Sequence, residues 1–117
     1  MSKKFSLLVI FIPLIFTSCV AVYSNNSLIG KDESFICKKY GTPTYERNAV
    51  ITKEYKKYEE EPYYPLYFSE DELINGVDIK TLYFEKGIYN IAVYFKYDDK
   101  RNWVVFFNLI SRKDIRF

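Results

Sequence analysis

The side chains that could carry out acid–base chemistry in this 117-residue chain are carboxylates and tyrosines, because the sequence contains no histidine. Without histidine, neither a Ser-His-Asp or Cys-His nucleophilic system nor a histidine-ligated metal site can form. The acidic residues are concentrated in three clusters, Glu59-Glu60-Glu61, Asp71-Glu72 and Asp98-Asp99. Paired carboxylates can hydrolyse glycosides when they face each other across a cleft. A carboxylate hydrolase would therefore need two of these clusters to meet in one cleft.

Each acidic cluster also has a simpler structural explanation. Asp71-Glu72 belongs to a predicted helix start, Asp98-Asp99 to a predicted hairpin turn, and Glu59-Glu60-Glu61 to a Lys-rich run that indicates solvated surface. The spacing of an EF-hand loop is absent from the sequence, and its four glycines form no phosphate-binding loop. We therefore expect no catalytic residues, no metal site and no cofactor, and a protein that is not an enzyme.

The composition predicts one small folded domain. Hydrophobic residues make up 49% of the chain and aromatic residues 20%, far more than a disordered chain contains. The net charge of +2 is too small to indicate a nucleic-acid partner. Removal of residues 1–18 would take Lys3 and Lys4 from the 17 basic residues and leave 15 basic and 15 acidic residues. No nucleic-acid partner is therefore expected, and no small-molecule substrate is evident from the sequence.

The N-terminus has the parts of a secretory signal peptide, predicted over residues 1–18. A basic start precedes the apolar run Phe5–Phe16, and the small residues Thr17 and Ser18 stand directly before Cys19. This arrangement resembles the lipobox of bacterial lipoproteins, in which the signal peptide is cut before a cysteine that carries diacylglycerol. The resemblance implies that Cys19 is lipidated and acylated with palmitate, and that the chain is anchored in the bacterial envelope, in the outer membrane.

Two other interpretations of this segment stay open. It could be an uncleaved membrane anchor, since no charged residue occurs between Lys4 and Lys31. However, Pro13 and the polar run 24–27 leave its apolar core shorter than the roughly 20 residues of a spanning helix. It could also be an ordinary secretory peptide with an incidental cysteine.

The second cysteine, Cys37, has no disulfide partner if Cys19 carries lipid. It lies between Ile36 and Tyr40 on the apolar side of a predicted helix, which favours a small buried side chain. A reactive thiol is the alternative interpretation.

The rest of the chain predicts an α+β fold, in which a short N-terminal helix packs on a three- to four-stranded antiparallel β-meander. Residues 19–30 are rich in Ser and Asn and are interpreted as a flexible tether, and residues 31–117 as a single small domain. The helix is predicted over Asp32–Tyr40, because Asp32 is a suitable N-cap and Gly41 a suitable end.

A period of two along the C-terminal half predicts the strands of the meander. They are expected at Val77–Glu85, Ile88–Tyr97 and Asn102–Ile110, with Ser111–Phe117 as a final strand or tail whose Ile115 and Phe117 are buried. In the last long strand, strict alternation assigns one face to Trp103, Val105, Phe107 and Leu109, and the other to Val104, Phe106 and Ile110.

Between helix and meander, the sequence is harder to interpret. Lys53–Glu61 is predicted as either a twisted edge strand or a solvated loop. Pro62–Phe68 contains two prolines and is predicted as an extended, polyproline-like segment across the sheet. Ser69 and Glu72 have the spacing of a capping box, which predicts a short helix start there.

The aromatic surplus gives the candidate binding site. The chain has 12 tyrosines, and four aromatic residues are crowded beside the prolines, namely Tyr63, Tyr64, Tyr67 and Phe68. They either cover a small core or form a partner-binding surface, since rigid amphipathic rings are enriched in protein interfaces.

The order of these features resembles the SmpA/OmlA (BamE-like) family of small envelope lipoproteins. In that family a helix runs into a Gly-x-Pro turn before an antiparallel sheet, and Gly41-Thr42-Pro43 matches this turn. The layout is also similar to small spirochaete-type lipoproteins with a Trp-containing last strand. The resemblance implies a non-enzymatic, lipid-anchored module on the periplasmic or surface face that binds an envelope protein in assembly or scaffolding. A surface-exposed adhesin or inhibitor that engages a host or periplasmic protein is the alternative.

Overall fold

The computed structural model describes residues 22–58 and 60–113. The signal peptide predicted for residues 1–18, the predicted lipid site Cys19 and the tail residues Ile115 and Phe117 lie outside this part of the chain. Within the described ranges, no helix is long and apolar enough to cross a membrane.

An antiparallel sheet and a small helix form the fold, so the predicted α+β class is confirmed. The strands are β1 (Val22–Tyr23), β2 (Tyr45–Ile51), β3 (Val77–Lys86), β4 (Tyr89–Tyr97) and β5 (Trp103–Arg112), in the order β1-β5-β4-β3-β2. The meander of β3, β4 and β5 agrees with the three predicted strands. The long edge strand β2 and the two-residue β1 were not predicted.

Helix α1 (Glu33–Tyr40) begins and ends as its sequence indicates. The Asp32 carboxylate accepts a hydrogen bond of 2.8 Å from the backbone N–H of Phe35, which satisfies one of the free donors of the first turn. Gly41 ends the helix with φ of 87°, a conformation that glycine adopts without steric cost. The helix packs Ile36 fully into the first core, and Cys37 and Tyr40 pack against that core.

The first core lies on the sheet face that α1 covers. It consists of Leu28, Ile36, Leu82, Phe84, Ile91, Val93, Phe95, Val105 and Ile110. Leu28 reaches this core from a 3-10 turn over Asn26–Leu28, and Gly30 and Lys31 exchange backbone hydrogen bonds with Val105. Residues 22–30, for which the sequence predicts a flexible tether, are therefore docked on the domain.

A β-bulge in β5 breaks the alternation expected from the sequence. Tyr94 pairs with Phe107 and Phe95 pairs with Val105, which leaves Phe106 as an extra residue. Phe106 and Phe107 consequently both pack on the second face, whereas Ile110 belongs to the first core. The predicted assignment of faces is thus wrong beyond the bulge, because a one-residue slip exchanges the two sides of a strand.

An irregular segment, residues 52–58 and 60–76 in the part of the chain that the structure describes, covers the second face of the sheet. Its two regular elements are a 3-10 turn over Tyr64–Leu66 and helix α2 (Glu70–Asn75). The predicted extended, polyproline-like conformation of Pro62–Phe68 is wrong, because the chain forms the 3-10 turn within this range. Lys53–Glu61 is a loop rather than an edge strand in the part that the structure describes. The second core below this cover consists of Ile51, Tyr64, Phe68, Leu73, Ile79, Tyr94 and Phe106.

The predicted capping box begins α2 and is confirmed. The Ser69 hydroxyl accepts from the backbone N–H of Glu72 at 3.2 Å, and the Glu72 carboxylate accepts from the backbone N–H of Ser69 at 2.8 Å. Phe68 and Leu73, which flank the cap, are both buried in the second core. The cap therefore fixes the angle at which the irregular segment turns towards β3.

Candidate functional site

A buried carboxylate holds the irregular segment in place. Glu61 is only 6% exposed, so the prediction that its acidic run is solvated surface is wrong for this residue, although Glu60 is exposed. Arg47 on β2 donates to it at 2.9 Å. The hydroxyls of Tyr55 and Tyr64 donate at 2.9 Å and 2.8 Å, and the backbone N–H of Tyr58 donates at 2.8 Å. We call these five residues the Glu61 network.

The network keeps Glu61 ionised. Burial acts to raise the pKa of Glu61, but the hydrogen bonds from the Tyr58 N–H, Arg47 and the two tyrosyl hydroxyls outweigh it, and the pKa lies below its usual value. Burial raises the pKa of Tyr64, and the adjacent carboxylate raises it further. The tyrosines therefore stay protonated donors, and the Glu61 network is a fixed structural anchor rather than a proton-exchanging pair.

Two of the acidic clusters do meet in one cleft. Glu72, Asp98 and Asp99 line a cleft of about 560 Å³ together with Asp78 and Lys96. However, Glu72 caps α2, and Asp98 accepts from the backbone N–H groups of Lys100 and Asn102 at 2.8 Å each. These hydrogen bonds, that of Asn102 first, lower the pKa of Asp98.

The carboxylates of this cleft are poorly suited to act as a general acid. A glycosidase needs one carboxyl group whose environment raises its pKa so that it carries a proton. Glu72 and Asp99 are exposed to solvent, and the hydrogen bonds that Asp98 accepts favour its ionised form. The described residues hold no group of three or more Cys, Asp or Glu side chains that could bind a metal ion.

The four aromatic residues predicted as a binding site divide into two pairs. Tyr64 and Phe68 are 4% and 6% exposed and belong to the second core. Tyr63 and Tyr67 are 58% and 38% exposed and point outwards, beside Leu66 at 75%. We call Tyr63, Leu66 and Tyr67 the tyrosine ridge. Tyr64 and Phe68 thus cover the core, whereas Tyr63 and Tyr67 are exposed, and their binding of a partner stays a prediction.

The tyrosine ridge contacts the sheet through Tyr67. The ring of Tyr67 meets those of Phe106 and Phe107 edge-on, at centroid distances of 5.3 Å and 6.0 Å. Phe68 meets Phe106 in the same way at 5.2 Å, and Lys96 lies over the Phe68 ring at 5.8 Å. Edge-to-face aromatic contacts of this kind add to the stability of the cover.

A pocket opens between the ridge and the end of β2. It has a volume of about 510 Å³ and is lined by Ile51, Thr52, Lys53, Tyr55, Lys57, Tyr63, Tyr64, Pro65, Phe68, Glu70 and Leu73. We call it the aromatic pocket. Its apolar lining comes from both the buried base and the exposed ridge.

A second concavity lies where the cover ends and the sheet is left open. This sheet groove has a volume of about 490 Å³ and a floor that includes Tyr83, Ala92, Tyr94 and Leu109. Arg47, Tyr58 and Glu61 line it from the side of the cover. At its rim Lys113 and Glu85 form an ion pair of 3.2 Å, and the exposed Glu60 also lines the groove.

The thiol of Cys37 is half-buried against the first core. Burial, aided by the nearby Glu33, raises its pKa above the usual value. A raised pKa lowers the thiolate fraction and hence the reactivity of the side chain. The structure therefore favours a packing role for Cys37 over a reactive one.

In comparisons with known proteins, no family model, no curated protein and no solved structure matches the chain. What the protein does is therefore inferred from its own residues and their geometry.

Three residues important to the site were not predicted from the sequence, namely Arg47, Tyr55 and Glu61. Arg47 reads as an ordinary charge in a polar stretch, and Glu61 is one of three consecutive glutamates. The spacing between Glu61 and Tyr64 is three residues, but three-residue spacings between polar side chains are common. Only the tertiary position of β2 makes the grouping visible.

Proposed function

We propose that the chain is a lipid-anchored, non-enzymatic module of the bacterial envelope that binds a protein partner through the tyrosine ridge. The observation that carries this proposal is the exposure of Tyr63, Leu66 and Tyr67 on one short segment that packs on the second core. Exposed apolar clusters on a folded domain are typical of interaction sites. The assembly or scaffolding role implied by the resemblance to the BamE-like family is consistent with such a surface.

The anchoring of the segment that carries the ridge supports binding rather than mere exposure. Tyr64 in the 3-10 turn and Phe68 just after it are both buried in the second core, and Tyr64 donates to Glu61. A side chain that is already ordered loses little conformational entropy when a partner covers it. Tyr67, which packs against Phe106 and Phe107 and is still 38% exposed, has the properties of an interface hot spot.

Cross-linking in cells tests the ridge. We expect wild-type protein to capture one defined envelope protein, identified by mass spectrometry, and the double variant Tyr63→Ser/Leu66→Ser to capture at least about tenfold less of it. Ile88→Ser is the matched control, because Ile88 is 56% exposed in the turn between β3 and β4. Equal capture by the ridge variant and the control would contradict the proposal, provided that both variants unfold at the wild-type urea concentration.

Detergent partitioning tests the anchor separately. We expect Cys19→Ala to move the protein from the detergent phase to the aqueous phase, because the lipid attachment site is lost. A processed Cys19→Ala protein that still partitions with detergent would contradict lipidation at this residue. Protease treatment of intact cells then separates the two faces of the membrane: cleavage of the domain would exclude a periplasmic assembly role and favour a surface-exposed binding protein.

A further inference from the structure

We propose that the edge strand β2 pairs antiparallel with β2 of a second copy of this chain, so that the two sheets join into one. This inference goes beyond the proposed partner binding through the tyrosine ridge and does not depend on it. A sheet edge presents a row of backbone N–H and C=O groups that is a template for another extended chain. The edge therefore defines the kind of partner, and the residues of β2 indicate which strand fits it.

The chain covers one edge of its sheet and leaves the other open. On the β5 side, β1 pairs with the end of β5. The N–H of Gly30 donates to Val105, and the N–H of Val105 donates to Lys31, at 2.8 Å and 2.9 Å. Asp32 adds a bridge to Val104. On the other side, β2 is the last strand of the sheet in the described part of the chain.

The flanking residues outside the described ranges start too far away to cover β2. Residues 114–117 follow the end of β5 and span at most about 14 Å. A strand added to β2 would lie four inter-strand spacings from β5, a distance of roughly 19 Å. Residues 19–21 precede β1, one strand farther away, and span at most about 11 Å. Neither segment can therefore form the added strand.

Strand β2 lacks the features that keep sheet edges from pairing. Protected edges carry a proline, a β-bulge or an outward lysine. The seven residues of β2 include neither proline nor lysine, and their register against β3 has no shift. The one cation of the strand, Arg47, is bound to Glu61 at 2.9 Å. Tyr45 and Val50, near the two ends of the strand, are 61% and 57% exposed.

The sequence of β2 is self-complementary in one antiparallel register. In a symmetric antiparallel pair, a central residue lies opposite its own copy. Asn48 is the middle residue of the strand, so that only pairing about Asn48 engages all its residues. This register sets Glu46 opposite Val50 and Arg47 opposite Ala49. Pairing about Glu46 or Arg47 would instead set like charges opposite each other, which is destabilising.

The side chain of Asn48 suits the position on the twofold axis. It is exposed, and its amide donates to Glu46 at 3.1 Å. An amide has a second N–H and a carbonyl oxygen, which two facing asparagines can exchange, as they do in Asn ladders. The backbones of two paired seven-residue strands add about six to eight hydrogen bonds. The joined sheet would have the two β2 strands at its centre.

Disulfide cross-linking in intact cells tests the pairing. Opposite residues of antiparallel strands have Cα atoms roughly 4.5–5.5 Å apart, within the range that a disulfide bridges. We expect the full-length variant Asn48→Cys to run as a disulfide-linked dimer on a non-reducing gel after oxidation. Wild-type protein, which contains Cys19 and Cys37, gives the background. Lys100→Cys places a cysteine in the exposed turn between β4 and β5 and is expected to give no dimer above that background.

A pair of variants tests the register. Glu46→Cys alone should stay monomeric, because in the proposed register two copies of residue 46 are about 13 Å apart along the strands. Val50→Cys alone should do the same. When differently tagged copies of the two variants are produced together, they should form the mixed dimer, since residues 46 and 50 then face each other.

A charge variant tests the twofold axis without cysteine. Asn48→Asp is nearly isosteric and sets two carboxylates opposite each other in the dimer, whereas within one copy residue 48 lies opposite Lys80. We expect co-purification of two differently tagged copies to fall about fivefold. Asn90→Asp makes the same change in charge on β4, away from the edge, and is expected to co-purify as the wild type does.

Three results would overturn the inference. Equal dimer yields from Asn48→Cys and Lys100→Cys would show random collision. A cross-link from Asn48→Cys to a different protein would show that another chain occupies the edge. A dimer of Glu46→Cys alone would exclude the register. If Asn48→Cys does not accumulate, the mixed pair and Asn48→Asp decide in the same way. All these variants leave Tyr63, Leu66 and Tyr67 unchanged, so capture of a partner through the ridge succeeds or fails independently.

Discussion

The two faces of the sheet are covered by different kinds of structure, and each cover is held by a different buried polar side chain. On the first face, Asn108 is 1% exposed; its carbonyl oxygen accepts from the backbone N–H of Asn25 at 2.7 Å, and its amide donates to the Asn25 carbonyl at 2.9 Å. On the second face, Glu61 accepts hydrogen bonds from four residues. The first cover is thus held by a neutral amide that makes two hydrogen bonds. The second cover is held by a carboxylate that accepts hydrogen bonds from four residues.

The difference follows from the regularity of the two covers. Helix α1 satisfies its own backbone groups and needs only an apolar side to dock. The irregular segment 52–76 has few regular hydrogen bonds, so its path must be defined by side chains. A buried carboxylate is suited to this, because it can accept several bonds and is costly to leave unpaired. The second cover is thus more specifically held, and more vulnerable to the loss of one residue.

The largest loss of stability is expected when the Glu61 carboxylate is removed. Glu61→Ala should lower the free energy of unfolding by about 3–5 kcal/mol, because Arg47 and two tyrosyl hydroxyls lose their acceptor. Urea unfolding followed by Trp103 fluorescence measures it. Glu60→Ala is the control, since Glu60 is exposed, and should change the free energy by less than about 0.5 kcal/mol. Similar values for both variants would show that the network does not hold the cover.

Removal of the buried Asn108 amide on the first face should reduce stability less. Asn108→Ala should cost about 1–3 kcal/mol, because two neutral backbone groups of Asn25 lose their partner. The local effect is faster amide hydrogen exchange at Gly30, whose N–H donates to Val105 at 2.8 Å. Asn90→Ala, on the exposed end of β4, is the control and should leave this exchange rate unchanged. A cost equal to that of Glu61→Ala would remove the distinction between the two covers.

As the pH falls, the second cover should loosen before the first. The pKa of Glu61 is lower in the folded than in the unfolded protein, so its contribution to stability is complete above a pH of about 4.3 and is lost as the pH falls through the folded pKa. The protection of the backbone amide against hydrogen exchange, corrected for the intrinsic rate at each pH, should therefore fall at Phe68 below pH 4 before it falls at Ile36. Glu61→Gln should abolish this order, and the same order in that variant would assign the acid sensitivity to another carboxylate.

The smallest expected effects are equal on the two faces. Each cover contains one capped helix, and Asp32→Ala and Ser69→Ala should each cost about 1 kcal/mol. In a domain of this size each should lower the Tm by roughly 4–8 °C. Differential scanning calorimetry measures both. A much larger effect of Ser69→Ala would indicate that the cap, and not Glu61, defines the path of the second cover.

Local rules were sufficient to predict α1, the capping box and the strands β3, β4 and β5 from the sequence. These elements have their caps, turns and hydrophobic period within a short stretch of chain. Strand β2 was missed because Tyr45–Ile51 lies at an edge, where most of its side chains are exposed and its pattern is polar. The bulge at Phe106 was missed because alternation in a sequence contains no information about register against a neighbouring strand.

The candidate site was predicted only in part, for a similar reason. The crowding of Tyr63, Tyr64, Tyr67 and Phe68 was visible, but not which two face inwards. The buried hydroxyl of Tyr64 donates to Glu61, which in turn accepts from Arg47, 14 residues away in the chain. A contact between residues of two different elements leaves no periodic signal, and the aromatic pocket was invisible from sequence for the same reason.

The strand order also gives the domain a direction. The chain enters the described fold at β1, on one edge of the sheet, and β2 forms the opposite edge. Four inter-strand spacings separate these edges, a distance of roughly 19 Å. If the chain is anchored to a bilayer through the residues before Val22, β1 is the strand closest to the bilayer. The opposite edge strand β2, with the aromatic pocket at its end, is then the strand farthest from it. Such an arrangement would hold the domain by one edge and turn the opposite edge outwards.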